Sequence, residues 1–141
     1  MAFTDIYRVS GSAMTAQTVR LNTIASNLAN AETAAANEDD VYKARRPVFA
    51  AVYGNDELMN NRSLTGARVQ VMDVVESGNA VQRYEPQHPM ADTDGYVYYP
   101  DVNVVEEMAD MMSASRSFET NVDILNSVKS MQQSLLRLGE V

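Results

Sequence analysis

Four groups of residues have the chemical types from which a reaction centre or ligand site could be built. Asp92-Thr93-Asp94-Gly95 matches the opening of a calcium loop. An EF-hand also needs a Glu twelve positions from its first Asp, and here the chain runs into Val102-Asn103 instead. A tight turn ahead of a strand is the better reading. His88, in Pro86-Gln87-His88-Pro89, is the only histidine. No second histidine or neighbouring nucleophile accompanies it, so an exposed loop position is expected. Ser113, Ser115, Ser117, Ser127, Ser130 and Ser134 fall in a helical pattern without a G-x-S-x-G or S-x-x-K context. They read as small residues that let helices approach closely. Lys43, Arg45 and Arg46 form the densest positive cluster. In a chain this acidic, contact with an acidic neighbour and a solvated loop cluster are equally good readings, and both are better than nucleic acid.

Composition narrows the field further. The chain has 141 residues, 45% hydrophobic and 21% charged, with a net charge of -8. That charge disfavours binding to a phosphate backbone. Zero cysteines exclude disulfides, thiolate metal sites and thiol nucleophiles. No apolar run reaches the roughly 18 residues of a membrane span. Met1 to Asp5 offers no basic and apolar leader, so no cleaved signal peptide is expected. No cofactor, metal or catalytic residue is expected.

What remains is patterning, and it is strongest at the two ends. From Phe3 to Ala31 there is no proline. Tyr7, Met14, Leu21 and Leu28 recur every seven residues beside a second series of Phe3, Ser10, Gln17 and Ile24. Alternating steps of four and three predict a helix with one packing seam. Thr4 or Asp5 is the expected N-cap, and Asn30 lies where the helix should end. From Asp101 onward, Val104, Met108, Met111, Ser115, Phe118, Val122, Leu125, Val128, Met131, Leu135 and Leu138 predict a longer helix. Asp101 or Asn103 should cap it, Glu106, Glu107 and Asp110 suit its positive N-terminal end, and Gly139 should stop it. About 36 residues span about 54 Å, more than the roughly 37 Å diameter of a compact globule of this length. The molecule should therefore be elongated, with the two helices side by side.

The middle predicts strands: Val41–Val52, bent or at an edge because of Pro47; Val69–Glu76 and Ala80–Glu85, joined as a hairpin by Ser77-Gly78-Asn79; and Gly95–Tyr99. Thr33–Asp40 reads as a mobile acidic connector and Gly54–Gly66 as a polar loop. The fold class is α+β, two long terminal helices in a coiled-coil-like layer around a small β-rich middle. Residues 1–33 and 101–141 form a discontinuous helical domain, and 34–100 form the connector and β domain. Ile6, Val9, Val19, Met112, Ile124 and Leu136 flank the seams and call for further helices alongside, which favours self-assembly.

Ala25-Ser26-Asn27-Leu28-Ala29-Asn30-Ala31 resembles the amino-terminal signature of bacterial flagellar rod and hook proteins. Gly95-Tyr96-Val97, Pro100 to Val105, Glu107-Met108, Met112 to Asn121 and Leu125-Asn126 are similar, more narrowly, to flagellar basal-body rod proteins of the proximal type. Pro86, Pro89, Ala91 and Asp92 fit the same pattern. The resemblance implies a non-catalytic structural subunit of the periplasmic drive shaft. It further implies export without a cleaved signal through the flagellar type III apparatus, and assembly with copies of itself and other rod subunits. Asn27 and Asn30 of the signature join the seam residues as expected assembly contacts. The terminal helices are then expected to gain order on assembly, when buried apolar area offsets the entropy of ordering, and Leu125→Asp to block incorporation. Another rod or hook paralogue, a cytoplasmic helical-hairpin adaptor and a metal-dependent enzyme at Asp92 and Asp94 are the competing readings.

Overall fold

A computed structural model describes residues 3–53 and 67–139. The polar loop expected at Gly54–Gly66 lies outside the described residues. Helix α1 runs over Phe3–Asn30 and helix α2 over Val104–Leu138. Between them lie a 3-10 turn at Glu38–Asp40 and four strands, β1 (Ala44–Tyr53), β2 (Ala67–Ser77), β3 (Ala80–Tyr84) and β4 (Tyr96–Pro100). The expected α+β architecture is present, with the helices packed antiparallel. Tyr7 near the start of α1 meets Gln132 near the end of α2, and Arg20 meets Asp110.

Local chemistry sets most of the boundaries. Asn103 caps α2, its Oδ1 accepting from the backbone N–H of Val105 and Glu106 at 3.1 and 3.4 Å. Gly139 ends α2 at φ -86°, without a left-handed turn. Neither Thr4 nor Asp5 caps α1, because the helix already includes Phe3 and both residues lie in its first turn.

The strand pairing departs from expectation. β2 does not fold back on β3: it pairs antiparallel with β1, while β3 pairs with β4. Ser77-Gly78-Asn79 is a crossing between two separate two-stranded sheets, with Gly78 at φ 123° and Asn79 C=O accepting from Asp101 N–H at 3.2 Å. Cross-strand side-chain pairs accompany the observed pairing. Arg45 and Glu76 are cross-strand neighbours with a 3.1 Å ion pair, and Tyr84 meets Tyr96 edge to face at 5.3 Å. Pro47 lies opposite Val74 beside a bulge at Val48/Phe49, and in a two-stranded sheet its missing N–H is tolerated. The acidic connector is also more tied down than expected. Ala35 is buried and exchanges two backbone hydrogen bonds with Tyr98, at 2.8 and 3.0 Å, extending the β3–β4 pair by one bridge.

The core is small. Its buried apolar side chains include five alanines (Ala16, Ala31, Ala35, Ala44 and Ala114) beside Ile24, Val41, Val97, Tyr99 and Val128. Side chains this short remove little apolar surface from water.

Candidate assembly surface

The best-defined side-chain cluster is polar and internal. Asn27, near the end of α1, is 1% exposed and uses its whole amide. Its Oδ1 accepts from Arg45 N–H at 2.8 Å and from the Tyr42 hydroxyl at 2.9 Å. Its Nδ2 donates to Arg45 C=O at 3.0 Å and to Glu107 Oε2 at 3.1 Å. A primary amide has two donors and two acceptor sites, and all four are occupied. The pairing with both polar groups of Arg45 stands in for a neighbouring strand along β1. Glu107, from the first turn of α2, is also buried, and Arg46 approaches its other carboxylate oxygen at 3.9 Å and Glu106 at 3.6 Å. One side chain thus fastens α1, β1 and α2 together.

That clamp sets which face of α2 turns toward α1. Glu107, Ala114, Asn121 and Val128 recur every seven residues and are buried or half-buried, with Met111, Phe118, Leu125 and Gln132 half-buried beside them. The stripe expected from hydrophobicity overlaps this face in part. Of its residues, Val128 is buried and Met111, Ser115, Phe118, Val122 and Leu125 are half-buried, whereas Val104, Met108, Met131, Leu135 and Leu138 are exposed. On α1, Ile24 is buried; Phe3, Met14, Leu21 and Leu28 are half-buried; Tyr7 is exposed. Asn30 turns inward on its own helix, donating to Ser26 C=O at 2.8 Å. Val105, Met112, Ile124 and Leu136 add to the exposed apolar surface of α2. These exposed apolar side chains make α2 the candidate assembly surface.

Several of the groups capable of chemistry have structural partners. Asp92 Oδ1 accepts from the backbone N–H of Asp94 and Tyr96, both at 2.9 Å, and so closes the turn before β4. Gly95 in that turn has φ 84°, and a Cβ there would stand 3.0 Å from Tyr84 Cε2. His88 Nδ1 accepts from Met90 N–H at 3.1 Å. Arg45 and Arg46 are engaged by Glu76, Glu106 and Glu107, the acidic-neighbour alternative for that cluster. Tyr99 donates to Glu85 Oε2 at 3.0 Å beneath the Arg83 guanidinium. Burial, then this bond, raises its phenol above the usual value.

Comparison with known proteins decides what such a helical surface belongs to. Residues 8–36 match the family of flagella basal body rod proteins, and residues 93–138 match the C-terminal family of flagellar basal body rod FlgEFG proteins. The flagellar basal-body rod protein FlgC of Escherichia coli O6:H1 is 45% identical over 99% of this chain and all of its own length. Its counterpart in Salmonella typhimurium is 43% identical with the same coverage. That of Borreliella burgdorferi is 35% identical over 92% of this chain and 93% of its own. The chain belongs to the FlgC family of flagellar basal-body rod proteins. The two matched segments of this FlgC-family chain contain Asn27 and Glu107 respectively, so the clamp joins the two parts that carry the family likeness. Sequence reasoning placed Asn27 in the family signature but missed Glu107 and Tyr42 as its partners. The seven-residue spacing from Glu107 to Val128 is the signal that could have found the register.

Proposed function

We propose that this chain is a non-catalytic structural subunit of the flagellar basal-body rod, assembling with copies of itself and with other rod subunits through α1 and α2. In this reading it works in the periplasmic section of the drive shaft and reaches it through the flagellar type III export apparatus without a cleaved signal. The observation that carries the reading is full-length likeness to FlgC proteins, joined to an α2 whose Val104, Met108, Met131, Leu135 and Leu138 remain exposed. Burying one such side chain contributes about 1.5–3 kcal/mol. A handful per subunit is enough to offset the ordering of helix ends on assembly. Many helices packed lengthwise would then share the load of a turning shaft.

The test is complementation of a strain lacking its own copy. Leu135→Asp with Leu138→Asp changes only exposed positions, so the subunit should accumulate normally yet be missing from purified basal bodies, leaving cells non-motile. Normal swimming and normal incorporation would overturn the proposal.

A further inference from the structure

β1 and β2 form a two-stranded sheet, so each has one edge that the other does not pair. Such an edge is a template for a strand from another chain unless something interrupts it. β2 carries the greater hazard. Val69-Gln70-Val71-Met72-Asp73-Val74-Val75 is rich in valine with Asp73 as its only charge, and Met72, Val74 and Val75 are exposed.

That edge is interrupted at three points. Val69 N–H donates to Ser12 Oγ at 3.0 Å, and Val74 N–H donates to Asp73 Oδ1 at 2.8 Å. Between them the register steps from Val48 opposite Asp73 to Phe49 opposite Val71, which leaves Met72 as the extra residue of a bulge. The first half of β1 is interrupted by other means. Asn27 occupies both polar groups of Arg45, and Pro47 has no N–H to offer.

The phase of these features is consistent. Alternate residues of an antiparallel pair direct their backbone groups away from the partner strand. Arg45 and Pro47 are two apart, Val74 lies opposite Pro47, and beyond the bulge Val69 and Val71 lie opposite Ala51 and Phe49. All therefore occupy outward-facing positions. Ser12 and Asn27 both belong to α1, about 22 Å apart along its axis. One reaches the edge of β2 and the other the edge of β1, so α1 crosses the hairpin diagonally and covers part of each.

We propose that Ser12, Asp73 and the bulge at Met72 are an edge guard that stops β2 from adding a strand of another chain, with Asn27 and Pro47 serving the first half of β1. The inference goes beyond the rod-subunit reading and does not depend on it. It assigns a task to Ser12, Pro47 and Asp73, which neither the helical surface nor the clamp requires: they keep sheet-to-sheet pairing from competing with every other contact of the chain.

The full chain carrying Ser12→Ala and Asp73→Ala frees both N–H groups. Incubated at high concentration, it should form at least about tenfold more sedimentable, thioflavin-positive β oligomer than the parent. Two further variants separate the guard from charge and from misfolding. Asp73→Asn alone keeps Oδ1 as an acceptor while removing the charge, and should behave as the parent does. Val71→Pro added to the double variant deletes the outward N–H between the two freed ones, and should return the oligomer to the parent level. An unchanged double variant, a rise with Asp73→Asn alone, or oligomer that persists with Val71→Pro would each overturn the proposal.

Discussion

Asn27→Asp replaces one atom of the clamp, Nδ2, by an oxygen and alters almost no volume. The two bonds accepted by Oδ1, from Arg45 N–H and Tyr42, survive. The two donated by Nδ2 do not: at 3.0 Å from Arg45 C=O and 3.1 Å from Glu107 Oε2, an oxygen replaces a donor and faces two acceptors. Each unmatched buried contact costs about 1–3 kcal/mol. The added charge lies against a buried carboxylate, with Arg46 too distant, at 3.9 Å from Glu107, to neutralise both. The combined loss from the two contacts is about 2–6 kcal/mol. Single domains have a total stability of about 5–15 kcal/mol, and an alanine-rich core puts this one at the lower end.

Urea unfolding followed by far-ultraviolet circular dichroism measures this directly. With a slope of about 2 kcal/mol per molar, the midpoint should fall by about 2 M. Asn30→Asp is the control: its Nδ2 makes one local bond, to Ser26 C=O, and the loss should be about 1 kcal/mol. Burial and the neighbouring Glu107 raise the introduced carboxyl above the usual carboxylate range, so lowering the pH protonates it, returns one donor to the site and should narrow the gap between variant and parent. A midpoint shift for Asn27→Asp no larger than that for Asn30→Asp would refute the assignment of Asn27 as the clamp.

Three other outcomes are expected. Gly95→Ala, at φ 84° and with a Cβ 3.0 Å from Tyr84 Cε2 and 3.1 Å from Pro86 Cβ, should cost about 1–3 kcal/mol and lower Tm by several degrees in a thermal melt. Because the Tyr99 phenol is raised in the fold by burial and by its bond to Glu85, the folded state holds that proton more tightly. Its contribution is intact below the usual value of 10.0 and is lost as pH rises through the folded value, so Tyr99→Phe should flatten the alkaline decline of Tm. In the free subunit, hydrogen exchange should be faster for amides 131–138, where Met131, Leu135, Leu136 and Leu138 are exposed, than for amides 107–118 near the clamp; uniform protection of α2 would contradict this.

Much of the local structure was legible in the sequence because the deciding forces are local. The cap at Asn103, the stop at Gly139, the end of α1 at Asn30 and the Asp92 turn each follow from one or two side chains acting on nearby backbone. Pairing of β2 was not legible, since Gly78 turns the chain in either arrangement. Only contacts distant in sequence, Arg45 with Glu76 and Tyr84 with Tyr96, separate the two pairings. The bridge at Ala35 was hidden for a related reason: its two bonds come from a strand more than sixty residues later.

The register of the helix pair was hidden by a more specific cause. Hydrophobic periodicity locates the most apolar stripe of a helix, and on α2 its own α1 covers only the middle of that stripe, around Met111 to Val128. The covered stripe includes Glu107 and Asn121 alongside Ala114 and Val128, so it reads as weakly apolar. Its register is fixed by the fully satisfied amide of Asn27, a role that buried polar groups are known to play between helices. A seam chosen by polar complementarity and lined by small residues leaves Met108, Met131, Leu135 and Leu138 free of the intrachain contact. Leu125, by contrast, is half-buried on the covered side. Leu125→Asp would therefore disturb the helix pair before any contact between subunits, whereas the exposed leucines and methionines separate assembly from folding. The two ends of the strongest hydrophobic stripe on α2 are accordingly what its own fold leaves uncovered.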